Sequence, residues 1–137
     1  MESDRDNKMK KKIRPAGIQD IIPFLAVEDA GKMIEFIAVV FDADILECSD
    51  GKSNKANNAV MRIGGSILEV SDTYARTSTC HGLVHVYVPD VDTVYQRAME
   101  AGAVSTSTPA NMELGERTAA FRDPYGGEWL LSAPLAG

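Results

Sequence analysis

GERTAAFRDPYGGEWLLSA, Gly115–Ala133, reads as two strands closed by a tight turn. Arg117–Asp123 and Glu128–Ala133 carry the strand character, and DPYGG, Asp123 to Gly127, supplies the proline and glycines that a hairpin turn favours. Upstream, Ala103–Thr108 makes a third strand. Before it, Asp90 caps a helix that runs to Ala101, with Gly102 as its stop. His81–Val88 is the strand leading into that helix. The order is βαβββ.

The same order precedes it at a fixed offset of 61 residues, which places Val27 on Val88, Asp29 on Asp90, Val60 on Phe121 and Leu68 on Trp129. Ile18–Val27 is a strand whose Pro23 puts it near an edge or bulge. Asp29 opens a helix in which Met33, Ile34, Ile37, Val40 and Phe41 recur at helical spacing. Asp42 ends that helix, and aspartate tolerates the left-handed conformation better than most residues. Ala43–Cys48, Asn58–Ile63 and Ser66–Ser71 follow as strands. The last two are joined by the hairpin glycines Gly64 and Gly65. Two such units in tandem imply an α+β domain with a pseudo-twofold axis, its mixed sheets curled and its helices outside. The concave sheet face is then where a ligand belongs.

At 137 residues the chain has the length of one domain. That domain is expected over residues 15–137, with modules at about 18–72 and 81–134. Residues 1–14 hold six Lys/Arg and three Asp/Glu and read as a solvated, disordered leader. The rest carries eight basic and seventeen acidic residues, a net of −9, which repels nucleic-acid phosphates. The longest apolar run, Phe36 to Phe41, is far below the ~20 residues of a membrane span. The N-terminal stretch lacks an apolar core and does not read as a secretory signal, so a cytoplasmic address is expected. Cys48 and Cys80 form neither a zinc pair nor a disulfide framework and read as reduced thiols. Phosphate-cradling glycine loops and nucleophile–base motifs are missing from the sequence.

PFLAVEDAGKMIEFIAVVFDA, GSILEVSD, VYVPDVDTVYQRAMEAGA and GERTAAFRDPYGGEWLLSA resemble the glyoxalase, bleomycin-resistance and dioxygenase group, the vicinal oxygen chelate superfamily. The subgroup most similar is the PhnB-like one. The resemblance covers about residues 18–134 and implies a chain of two βαβββ units, usually dimeric, with a pocket in each half. It also implies that enzymatic members hold a divalent metal through His, Glu or Gln on the first and last strands of each unit. Carried onto this sequence, those positions are Ile22 and Glu69, then Leu83 and Leu130. Only Glu69 can ligate, and a divalent ion needs three or more donors. No metal, no cofactor and no catalytic residue are therefore expected.

Strand parity places Leu83, His85 and Tyr87 on one face, opposite Val84, Val86 and Val88. The valines should meet the helices and His85 the pocket, with His81 at the mouth. Glu69 between Leu68 and Val70 needs a partner, and His85, Arg62 and Arg122 are the candidates. Its role stays open between a structural ion pair and ligand recognition, as does that of His85. A shifted metal site of Glu69, His85 and His81 is the minority alternative. Trp129 is expected in the core. Tyr74 falls in the linker between the modules, placed to cover a pocket mouth or simply exposed. Phe24, Met61, Glu69, His85, Arg122 and Leu130 are the expected ligand-binding residues.

Three functions fit this pattern. The favoured one is a metal-free protein that binds a small apolar or cationic molecule, including by sequestration as in antibiotic resistance. The second is a metal-dependent glyoxalase-like lyase, isomerase or dioxygenase, which the three aliphatic positions disfavour. The third is a dimeric structural or regulatory domain without a ligand. In each case the partner expected is a second copy of the chain, with no nucleic acid and no membrane.

Overall fold

The computed structural model describes residues 19–50, 57–72 and 82–135. The leader, Tyr74, Cys80 and His81 lie outside the described residues. The elements are β1 (Phe24–Val27), α1 (Ala30–Phe41), β2 (Asp44–Asp50), β3 (Asn57–Ile63) and β4 (Ser66–Asp72), then β5 (Leu83–Tyr87), α2 (Val91–Glu100), β6 (Val104–Asn111), β7 (Glu116–Arg122) and β8 (Glu128–Pro134). They form two four-stranded sheets, ordered β1-β4-β3-β2 and β5-β8-β7-β6. In each, the first strand pairs in parallel with the last and the others run antiparallel. The sheets are mixed and open.

Local chemistry accounts for the helix ends. The Asp29 carboxylate accepts from the Lys32 amide at 3.1 Å, and Asp90 does the same for Thr93 at 3.2 Å. Asp42 closes α1 in the left-handed conformation, with φ 52°. The amide of Ala43 then bonds back to the Ala38 carbonyl, as a left-handed C-terminal cap allows. A second anchor comes from a distant strand, since the Asp72 carboxylate of β4 accepts from the Ala30 amide at 2.8 Å. β1 starts just after Pro23, at a sheet edge where a missing N–H costs no ladder bond. The β6 strand runs three residues beyond the expected Thr108. It does so as an edge strand with register shifts at Ser105/Ser107 and Ser107/Ala110.

One core serves both modules. Leu25, Val27, Met61, Leu68 and Val70 from the first sheet and Phe121, Trp129 and Leu131 from the second are buried with the apolar faces of the helices. Helix α1 crosses the module boundary. Its Phe36 lies 6.1 Å from Phe121, and its Phe41 lies 4.9 Å from Trp129, ring centroid to centroid. Fully burying side chains of this size stabilises by roughly 1.5–3 kcal/mol each. The two βαβββ units are therefore joined by packing as well as by the chain. Each sheet keeps its other face free of helices.

The DPYGG turn contributes a buried polar hub. Asp123 is 2% exposed and accepts from the amides of Tyr125 and Gly127 and from the Trp129 indole, at 2.8, 3.0 and 2.7 Å. The indole N–H thus finds its acceptor inside the core, as a buried tryptophan requires.

Candidate functional site

The helix-free faces are set by strand register. In the first sheet Phe24 stands across from Glu69, and Val60 stands on the other side of Glu69. In the second, His85 stands across from Leu130, Ala120 flanks Leu130, and Arg122 pairs with Glu128. Five of the six expected ligand residues therefore lie on helix-free faces. They are divided between two sheets, with Phe24 and Glu69 on one and His85, Leu130 and Arg122 on the other.

Met61, expected on the ligand face, is the exception. It pairs with Leu68 and is fully buried in the helix-packed core. The two-residue hairpin at Gly64–Gly65 pairs Ile63 with Ser66, which carries Val60, not Met61, to the side of Glu69. A one-residue difference in register reverses the face of every side chain in a strand.

The parity of β5 is as expected: Leu83, His85 and Tyr87 are exposed, whereas Val84 and Val86 pack against the core. Beside them lies a cleft of about 610 Å³, walled by Gln19, Ile21, Pro23, the β3–β4 hairpin from Ile63 to Leu68, and Val84–Tyr87. Of the six expected ligand residues only His85 belongs to this wall. Phe24, Glu69, Arg122 and Leu130 sit further along the open faces, and Met61 lies in the core. Sequence reasoning missed the contribution of residues 19–23, where the Gln19 side chain donates to the Ile67 carbonyl at 2.6 Å and ties the approach to β1 over the sheet. No periodic signal marks such a tie.

The polar groups make partners other than those expected. His85 Nε2 lies 2.7 Å from Ser132 Oγ, and its ring lies 5.0 Å from that of Tyr87. The Glu116 carboxylate beside Tyr87 raises the phenol above its ordinary pKa. Arg122 meets Glu128 at 3.4 Å on the exposed surface, not Glu69. Glu69 is half-buried, and among the described residues its carboxylate has no hydrogen bond or ion pair. A deeper charge would demand a partner, whereas one that reaches water can be solvated.

The metal positions implied by the resemblance do not fit a metal. Ile22 lies just before β1, Leu83 pairs with Glu128, and Leu130 pairs with His85. Three of the four side chains have no donor atom, and His85 is already engaged by Ser132. Among the described residues no three His, Cys, Asp or Glu side chains converge as a metal site would need. No helix among them is long and apolar enough to cross a membrane.

Comparison with known proteins agrees with this architecture. An uncharacterized protein of Mycobacterium bovis is 32% identical over 124 residues, covering 82% of each chain. The crystal structure of TioX from Micromonospora sp. ML1 superposes with a TM-score of 0.68 at 24% identity, over 87% of this chain and 98% of that one. A Bacillus cereus structure described as a putative 3-demethylubiquinone-9 3-methyltransferase, PhnB protein, superposes at 0.65 with 19% identity, over 84% and 99%. At such identities the two structures speak for the fold. The family profile matches residues 17–131, nearly the whole described body, and the chain belongs to the glyoxalase/bleomycin resistance protein/dioxygenase superfamily.

Proposed function

We propose that this chain is a metal-free member of its superfamily that binds a small apolar or cationic molecule on its open sheet faces. Sequestration of such a molecule, as in antibiotic resistance, is the mode the reading favours. The observation that carries it is the donor set: Ile22, Leu83 and Leu130 stand where the resemblance puts the metal ligands of enzymatic relatives, and none of the three has a donor atom. A cleft of about 610 Å³ falls within the range of small-molecule sites. The bleomycin-resistance branch of the superfamily name supports the same reading. Glu69, unpaired among the described residues, would orient a cationic group, and the acidic body would attract one.

A homodimer is part of this proposal. Phe24, Leu83 and Tyr87 are 52%, 64% and 61% exposed on the helix-free faces of the single chain, and β1 and β5 end their sheets as open edges. A second copy would cover such surface and edges. Superfamily members often bind small molecules and form dimers.

Metal analysis of protein purified without a histidine tag tests the reading against the enzyme alternative. Well under one equivalent of zinc, nickel, manganese or iron is expected. Stoichiometric metal held through Glu69 and His85 would reverse the ranking.

A further inference from the structure

We propose that Ser132 is a positioning residue that locks the His85 imidazole in its Nδ1-protonated tautomer, so that the cleft presents a donor and takes a ligand bearing an acceptor oxygen. This deepens the reading of the face as a small-molecule site and rests on it.

The argument starts from the hydroxyl. Ser132 is 1% exposed, and its Oγ lies 2.7 Å from His85 Nε2. Among the described residues that hydroxyl has no other partner. Were Nε2 protonated, it would donate to Oγ and leave the serine O–H buried without an acceptor, a costly arrangement. With the serine donating to an unprotonated Nε2, the hydrogen is used and only an oxygen lone pair goes unfilled, which is cheaper. The neutral ring then carries its hydrogen on Nδ1.

The other module acts as an internal control. Subtracting 61 from Ser132 and His85 gives Ser71 and Phe24. With a phenyl ring at the histidine position, the Ser71 hydroxyl donates to the Asp72 carbonyl at 3.2 Å instead. The first-module serine is thus a donor, and the same role for Ser132 sends its hydrogen to the Nε2 lone pair.

The surroundings define the ligand. His85 lies in the cleft wall beside apolar Ile21, Pro23 and Val86, and its Nδ1 has no protein partner among the described residues. The Tyr87 phenol lies beside the Glu116 carboxylate, which raises its pKa. The Nδ1–H is therefore a free side-chain donor that β5 offers, on an otherwise largely apolar wall. A net charge of −6 disfavours an anion, so the acceptor is a neutral carbonyl-type oxygen on an apolar body.

The test is a long-range ¹⁵N–¹H correlation spectrum of the full labelled chain at about pH 8, above the ordinary range of histidine. Signals of the two histidines are separated with His81→Gln. His85 is expected as the Nδ1–H tautomer in the wild type. In Ser132→Ala it should revert towards the Nε2–H form that free imidazole prefers, with the backbone amide spectrum retained. A merely structural Ser132 would leave the tautomer unchanged. Acetophenone should then move the Nδ1–H signal, and 1-phenylethylammonium, the same skeleton with a cationic donor, should not. An Nε2–H wild type, which needs no variant to observe, overturns the proposal and leaves the small-molecule reading standing. A response to the ammonium alone overturns the ligand class. If the tautomer holds and neither probe perturbs the face, the ligand half of the proposal is overturned, and the small-molecule reading stands or falls on its own compound panel.

Discussion

Asp123 shows how much a single residue holds at one turn. Its carboxylate takes three N–H groups, and a Cβ added at Gly127 would sit 2.5 Å from its Oδ2. Gly127→Ala must therefore displace the hub or strain the turn. It is expected to destabilise by about 1–3 kcal/mol, the usual cost of overpacking. Gly65→Ala, with no heavy atom within 4 Å of its new Cβ, is the control and should stay within about 0.5 kcal/mol. Chemical denaturation of the two variants checks this, and equal effects would remove the hub's claim. The hairpin itself was legible in DPYGG, because proline and glycine punctuate a chain locally. The hub was not, since nothing local says that the Trp129 indole returns to Asp123. The His85–Ser132 contact was hidden for a similar reason, spanning 47 residues of sequence.

At the level of elements, helices were read well and register less well. The caps at Asp29, Asp90 and Asp42 follow from side-chain chemistry within a few residues, and the helical apolar spacing names the buried face of α1. Which face of β3 carries Met61 depends on how the Gly64–Gly65 turn pairs its strands, and that is a property of two elements together. The α2–β7 contact is likewise non-local. Arg117 grips Asp92 with two nitrogens, at 2.6 and 2.9 Å, and also reaches Asn111 at 2.9 Å. This hydrogen-bonded ion pair lowers the Asp92 pKa. A carboxylate with a lowered folded pKa adds stability that is fully present above the unfolded value of about 3.9 and is lost as pH falls through the folded value. Asp92→Asn should therefore melt slightly below wild type at neutral pH, and the gap should close on strong acidification. The effect is small because the pair is exposed to solvent. A gap that persisted unchanged in acid would show that the ion pair is not its source.

For the whole molecule, the 61-residue repeat already implied two βαβββ units, and two mixed sheets of identical order bear this out. The repeat did not reveal that α1 packs its aromatic side chains against the second sheet, which makes the two units share one core. Nor did it reveal that five of the expected ligand residues divide between two separate open faces while Met61 lies in the core. Such faces, with Phe24, Leu83 and Tyr87 uncovered, point to a second copy of the chain. Static light scattering at tens of micromolar should give about twice the chain mass of 14.8 kDa. A monomer at that concentration would leave the faces without their proposed cover. The claim that joins all these scales is binding of a small molecule without metal. Its most direct test is the melting temperature of the untagged protein against a panel of apolar and cationic aromatic compounds, with excess chelator present throughout. At least one compound should raise the midpoint, since a ligand at one hundred times its Kd stabilises by about 2.7 kcal/mol. No response in chelator, with a response restored by added divalent metal, would contradict the account.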